Sequence, residues 1–383
     1  MIRRVAGGAL SAWLVATNVS GSVEVGTPRI HAGRAARQAV LRQPLTELRI
    51  DGAHLVPGSP RPESSASPSR PAPGDRPRVD PVLQAPAGPT SPNAPPEEIQ
   101  FDGATNNDNL PFFKSVSPPP DANGAAGPEH YFQTINLVFR IFDKTGTLVL
   151  GPLPNFSLWT GLGGFCESAN AGTPLVKYDT MAGRWLVSQV GFDPGDGSTH
   201  LCIVSSTSAD PTGTYNQYDF VLDSSSLGTS LRLGIWPEAY YATVNQFKGF
   251  ADAGFGIYAL DRSAILSGGA ATFQYVDAGT THPATLWALP ADLDGIAPPP
   301  EGAPNVSIAL GADFLDGSPE DLVHVWRFHA DFADPESSTF EGPVDVAIAP
   351  FAALDCGSLI GGGCVPQLDS AVGQTGTLAG GTF

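Results

Sequence analysis

The sequence predicts an all-β domain of β-propeller type over residues 98–367, built from four-stranded blades in an incomplete ring. Three observations predict it. Short runs rich in β-branched and aromatic residues alternate with Gly, Pro, Asp and Asn clusters, and no long stretch carries a helical repeat. The chain also resembles itself: ADPTGTYNQYDF (209–220) matches ADPESSTFEGPV (333–344), and LSGGAATFQYVD (266–277) ends in the same Thr–aromatic step. With KTGTLVLGP (144–152) as a diverged fourth copy, Leu148, Tyr215, Phe273 and Phe340 become equivalent, spaced 67, 58 and 67 residues apart. Third, Trp185, Trp236 and Trp287 recur every 51 residues. Such a period suits propeller blades with generous loops, whereas a β-sandwich pair would recur less regularly.

In chain order, residues 1–21 read as a signal peptide. Arg3 and Arg4 precede a short apolar run, VAGGALSAWLVA (5–16), and small residues surround Ser20 and Gly21. Residues 22–97 read as an Arg/Pro-rich disordered linker. Within it, ARQAVLRQPLTELR (35–48) predicts a short helix interrupted by Pro44, and 13 prolines in 57–97 predict an extended spacer. Strands follow at YFQTINLVFRIFD (131–143), RWLVSQVGF (184–192), HLCIVS (200–205), YYATVNQF (240–247), FGIYAL (255–260) and LVHVWRF (322–328). Residues 368–383 form a Gly-rich tail. No later apolar run reaches the ~18 residues that a membrane-crossing helix needs, so no membrane span is expected.

Charge narrows the choice of partners. Residues 1–96 hold 11 Arg and 6 acids (11 − 6 = +5), and residues 97–383 hold 9 Lys+Arg against 32 acids (9 − 32 = −23). A duplex-binding surface needs clustered cations to displace counterions, so nucleic acid is not an expected partner. Neutral sugars or divalent cations suit the acidic part better. Its four cysteines, Cys166, Cys202, Cys356 and Cys364, form no zinc-like spacing. In an exported chain an even number reads as disulfides. Of three connectivities, sequence proximity favours Cys166–Cys202 with Cys356–Cys364; four buried thiols are the alternative.

Candidate chemistry is sparse. The turns DGATNNDN (102–109), DANG (121–124), DPGDG (193–197) and DLDG (292–295) are rich in oxygen ligands, as calcium requires. Asp102 with Asp108, or Asp292 with Asp294, are the calcium candidates; ordinary turn formation is the competing reading. For glycoside hydrolysis by a carboxylate pair, Asp121, Glu129, Asp179 and Glu238 are the candidates, against simple strand-end hydrogen bonding. SADPTG (208–213) is similar to the Asp-box turn of sialidase-type propellers, but its Asp–Gly spacing is one residue too long. Arg140, Arg184, Arg232, Arg262 and Arg327 read as local structural pairs rather than a substrate-binding arginine cluster. No P-loop, dinucleotide fingerprint, HExxH or GxSxG elbow occurs. His324 and His329, five apart in a strand-like run, point to opposite faces and cannot share a metal. Trp159, Trp236, Tyr240, Tyr241 and Trp326 read as filling for the seams between blades, with a sugar-stacking surface as the alternative.

Several blocks carry a family resemblance: PPPDANGAAGPEHYFQTINLVFRIFDKTGTLVLGP (118–152), YDTMAGRW (178–185), DPTG (210–213) and LRLGIWPEAYYATVNQF (231–247). ALPADLDGIAPPPEGAPN (288–305) and FHADFADPESSTFEGP (328–343) extend it. Over about residues 101–367 the chain resembles a family of exported bacterial proteins without an established activity. The resemblance implies a propeller-like fold, an export signal and, in some relatives, appended adhesion-type modules. Two departures stand out. Thr173 occupies a position where an acid is usual, and relatives continue through further strands past the CVPQ motif (364–367). The expectation is therefore a C-terminally truncated ring. The functional expectation is a secreted, non-catalytic domain that binds a glycan or surface protein, with calcium steadying its loops. The alternative is an extracellular carbohydrate-active hydrolase with its carboxylate pair in the central funnel.

Overall fold

The computed structural model describes residues 28–48 and 99–350, apart from breaks at 118–119, 171–172, 223–226, 249–250, 281, 283–286, 296 and 313–314. The signal peptide, the proline-rich stretch 57–97, the Gly-rich tail and the pair Cys356 and Cys364 lie outside the described residues.

Four antiparallel sheets of four consecutive strands follow one another along the chain. Blade 1 comprises β3 (Ala122–Ala126), β4 (His130–Ile135), β5 (Val138–Asp143) and β6 (Leu148–Pro154). Blade 2 comprises β7 (Leu175–Asp179), β8 (Arg184–Phe192), β9 (Thr199–Ser206) and β10 (Tyr215–Leu222). Blade 3 runs through β11 (Leu227–Ile235), β12 (Ala239–Lys248), β13 (Ala251–Asp261) and β14 (Thr272–Asp277). Blade 4 runs through β15 (Leu289–Pro290), β16 (Asn305–Gly311), β17 (Leu322–His329) and β18 (Thr339–Ala347). Neighbours in each sheet are neighbours in sequence, and the first strands pack in series: β3 on β7, β7 on β11, β11 on β15. This is the propeller-like arrangement of four-stranded blades.

The four equivalent positions fall where the repeat requires. Leu148 and Tyr215 open β6 and β10, and Phe273 and Phe340 are the second residues of β14 and β18. The 51-residue tryptophan spacing, in contrast, has no structural counterpart. Trp185 lies in β8, Trp236 follows β11, and Trp287 precedes β15.

Period-2 alternation sends each central strand's side chains into two different cores. In β12, Tyr240, Ala242 and Val244 pack toward blade 2 with Leu186, Leu201 and Ile203. The intervening Ala239 and Tyr241 pack toward blade 4 with Ala309, Trp326 and Phe328. Blade 1 meets blade 2 through Phe132, Phe139 and Ile141 against Trp185, Val187 and Val204. Trp159, Trp236, Tyr240, Tyr241 and Trp326 are all buried in these seams, which settles them as packing residues.

The stretch 22–97, expected to be disordered linker, holds ordered strands between residues 30 and 41, and the helix expected at 35–48 is absent. β1 (Ile30–Arg34) and β2 (Arg37–Leu41) are strands, followed by a single 3-10 turn at Leu45–Glu47. β1 pairs with β14 and β2 with β10, so this segment adds a fifth strand to blade 3 and then to blade 2. The free outer edges of both sheets supply ladder partners that outweigh the local helix preference of Ala, Arg and Gln.

The two end blades differ. The face of blade 1 turned away from blade 2 is covered by residues 99–117. There Phe101 packs on Tyr131 and Phe142, Gln133 accepts from the Ala104 N–H, and Asp108 pairs with Arg140. On blade 4, Leu289, Ile308, Leu310, Val344 and Val346 stand exposed, with Ile308 register-paired to Leu289 and, through Val325, to Val344.

Candidate functional site

Strand direction gathers the starts of β4, β8 and β12 and the ends of β7, β13 and β17 on one end of the domain. Here a cleft of about 350 Å3 opens between blades 3 and 4. The β11–β12 turn contributes Pro237 and Glu238, the end of β13 and the short helix α1 (Arg262–Ser267) contribute Asp261 and Ser263, and the end of β17 contributes His329, Ala330, Asp331 and Phe332.

Glu238 is the best-placed acid. It follows Pro237 in a tight turn, so its side chain meets the opening of the seam rather than the core. The Tyr241 hydroxyl donates to its Oε1 at 2.8 Å, and His329 Nδ1 lies 3.6 Å from the same oxygen. Burial pushes the Glu238 carboxyl above the usual carboxylate range, against the pull of Tyr241 and His329. Tyr241 is fixed in turn, since its oxygen accepts the Ala330 N–H at 3.2 Å. Asp261 caps α1 through the Ala264 N–H at 3.0 Å, and Asp331 accepts the Ala333 and Asp334 N–H groups, both at 2.9 Å. Three carboxyls therefore line the cleft in fixed orientations, beside an imidazole and the apolar walls of Pro237 and Phe332.

The other hydrolytic candidates do not join Glu238. Asp179 is fully buried, held by Arg262 through Nε (2.7 Å) and Nη2 (3.0 Å) and by the Tyr240 hydroxyl (2.9 Å). The same Arg262 donates through Nη1 to the Pro237 carbonyl at 3.1 Å, so Asp179 braces the turn that carries Glu238 while its own carboxylate is taken up by Arg262 and Tyr240. Glu129 sits exposed in the β3–β4 turn, and Asp121 precedes β3 at the opposite end of blade 1.

Of the calcium candidates, Asp108 and Asp292 are engaged by protein groups. Asp108 forms a capping box with Thr105 and pairs with Arg140, while Asp102 is exposed nearby. Asp292 accepts the Ile235 N–H at 2.8 Å and pairs with Lys177, whereas Asp294 is exposed. Each paired carboxylate braces a loop against a neighbouring strand. His324 lies between Asp316 and Asp345, and His329 is at the end of β17 beside Glu238, so the two histidines serve separate places. The Asp-box-like turn is structural as well: Asp210 accepts from Thr212, and the Ala209 carbonyl accepts the Trp185 indole N–H at 2.8 Å.

Cys166 and Cys202 form a disulfide, as proximity predicted. Cys166 belongs to the helical turn α2 (Phe165–Ser168) between blades 1 and 2, and Cys202 to β9. Among the described residues, no helix is long and apolar enough to cross a membrane.

No family model and no curated protein matches the chain. Among solved structures, an exo-1,5-α-L-arabinanase from a bovine ruminal metagenomic library overlays with a TM-score of 0.27 and 10% identity, covering 60% of this chain and 76% of that one. So loose an overlay brings nothing of that enzyme's activity to this chain.

Proposed function

We propose that the protein is a secreted propeller-like binding module whose cleft between blades 3 and 4 takes a neutral, hydroxyl-rich ligand of the sugar type. The single observation that supports this reading is the placement of Glu238. An oriented carboxyl with two further acids, an imidazole and the Phe332 ring surrounds a cleft of about 350 Å3, the lower end of the size range of small-molecule sites. Fixed carboxylates accept paired hydroxyl protons, and an aromatic or proline wall covers the apolar face of a ring. The strong negative charge of residues 97–383 argues against phosphorylated and nucleic acid ligands. A disulfide tying the helical turn between blades 1 and 2 to β9 suits an oxidising, extracellular compartment.

The test is a glycan array with the full chain, with and without calcium, followed by titration calorimetry on the best hit. Glu238→Gln keeps the side-chain shape and weakens binding at least tenfold, about 1.4 kcal/mol. An array without hits, or a Glu238→Gln variant binding as tightly as the native chain, rejects the reading.

The raised Glu238 carboxyl favours one second reading. A carboxyl whose hold on its proton is strengthened by burial, with Asp261 and Asp331 in the same cleft, suits a general acid in glycoside hydrolysis. Release of reducing sugar from an array hit, abolished in Glu238→Gln, distinguishes hydrolysis from binding.

A further inference from the structure

The β8–β9 hairpin, at the end of blade 2 remote from Glu238, carries a second constellation. The sequence Asp193-Pro-Gly-Asp196-Gly-Ser198-Thr-His200 leaves β8, turns and enters β9. His200 is buried, its ring stacked on Phe165 with centroids 4.6 Å apart. Its Nδ1 lies 2.7 Å from the Oδ1 of the buried Asp219, and its Nε2 lies 2.8 Å from Ser198 Oγ. Ser198 in turn donates both its hydroxyl and its N–H to Asp196 Oδ1. One oxygen of Asp193, one oxygen of Asp196 and a ring nitrogen of His200 lie within 4.8 Å of one another.

Two chemistries share this outline. Ser198, His200 and Asp219 stand in the order of a nucleophilic triad, but the Ser198 hydroxyl lies 2.5 Å from Asp196 Oδ1 as well as 2.8 Å from His200 Nε2, so a carboxylate competes with the imidazole for its hydrogen. Asp193 and Asp196 would also repel any oxyanion formed at Ser198, so the electrostatics oppose acyl transfer. The same carboxylates favour a cation. A buried imidazole that gives its Nδ1–H to a carboxylate is the arrangement that orients a histidine for metal ligation through Nε2. The carboxylate that orients it, Asp219, is fully buried and comes from a different strand than the ligands.

We propose that Asp193, Asp196 and His200 form a binding site for one divalent ion of the zinc class. Asp219 serves as the positioning carboxylate. One nitrogen and two oxygen donors suit zinc, whereas calcium takes six to eight oxygens. Asp193 is half-buried and Asp196 exposed, so the site opens to solvent and leaves a coordination position for water. Bound there, the ion ties the hairpin to β9 and β10, next to the Cys166–Cys202 bridge.

The experiment uses the full chain stripped with EDTA and titrated calorimetrically with Zn2+ and, separately, Ca2+. The native chain takes up one equivalent of Zn2+ more than His200→Gln does, and its thermal midpoint rises by a few degrees on zinc addition. Asp193→Asn, a loop substitution outside the seams, weakens that uptake at least tenfold with an unchanged far-UV circular dichroism spectrum. Substitution with Co2+ gives the visible absorption of a nitrogen- and oxygen-ligated ion in the native chain only. Zinc uptake equal in the native chain, His200→Gln and Asp193→Asn, no uptake at all, or uptake of calcium alone overturns the proposal.

Discussion

His324 shows how one residue ties a strand to its neighbours. Its ring is buried in β17 between Asp316 at 2.8 Å and Asp345 at 2.7 Å, and faces His282 with ring centroids 5.2 Å apart. The hydrogen bond to Asp316 raises the His324 pKa above 6.5, opposed by burial and aided by Asp345. For Asp316, burial pushes the pKa up, but hydrogen bonds from His324 and Ser318 outweigh it and hold the carboxyl below its usual value of 3.8. The linkage follows in sign. A raised imidazole stabilises the fold fully below 6.5, and this contribution is lost as pH rises through the higher folded value. The depressed Asp316 stabilises above 3.8 and loses its contribution as pH falls. The thermal midpoint of the native chain is therefore expected to decline from pH 6 to pH 9 more steeply than that of His324→Gln. Parallel curves for the two proteins, read by circular dichroism, contradict the assignment.

At the same scale, the sequence marked Glu238 but not its partners. Its block GIWPEAYY was distinctive, and Tyr241 is local to it. His329 and Asp331 come from another blade, and only the fold brings them to the cleft. Asp179 lies in an equally distinctive block, yet it is a buried anion neutralised by Arg262. A carboxylate in such a place is retained for pairing, because removing one partner leaves an uncompensated charge. Composition alone does not separate these two fates. The Ser198–His200–Asp219 series was equally hidden, since the orienting Asp219 sits on the next strand and its burial is a property of the seam.

Among the elements, the central strands were the legible ones. The runs 131–143, 184–192 and 322–328 correspond to β4–β5, β8 and β17, because buried strands are dense in Val, Ile, Phe, Tyr and Trp. Inner strand β3 is ANGAA, with no β-forming side chain, and it pairs through its backbone where small residues allow β4 and β7 to approach. β2 falls in the stretch 35–48 whose residues favour a helix and β1 in the stretch that reads as linker, because their partners β10 and β14 lie far along the chain. What binds the elements is seam packing. Ile203 of β9 faces blade 3, and Ile257 of β13 faces blade 4, both fully buried. Ile203→Ala and Ile257→Ala are each expected to cost about 2–5 kcal/mol in urea unfolding. The two sites occupy different seams, so their effects add in the double variant to within about 0.5 kcal/mol. A loss below about 1 kcal/mol at either position means that the seam is not packed as described.

For the whole molecule, the chain's course explains both its order and its exposed face. Each blade presents two apolar faces, and the three internal seams satisfy six of the eight. Residues 99–117 cover the seventh, on blade 1, so blade 4 does not meet blade 1 across that surface. The eighth face, on blade 4, presents five exposed aliphatic side chains. The radial order was foreshadowed by the 67-, 58- and 67-residue spacings, because one residue near the start of each outer strand repeats once per blade. The end faces left no such mark, since covering a face depends on where a segment folds back.

The stitched outer strands give the most direct test of this architecture. Arg34 of β1 and Thr272 of β14 are exposed register partners in blade 3, whereas Val40 of β2 lies on the edge of blade 2. In the full chain, mild oxidation of Arg34→Cys/Thr272→Cys followed by peptide mass mapping is predicted to show a bond between those two positions. Val40→Cys/Thr272→Cys, treated in the same way, is predicted to show none. Absence of the first bond, or equal formation of both, contradicts the arrangement of consecutive blades closed at their edges by the N-terminal strands.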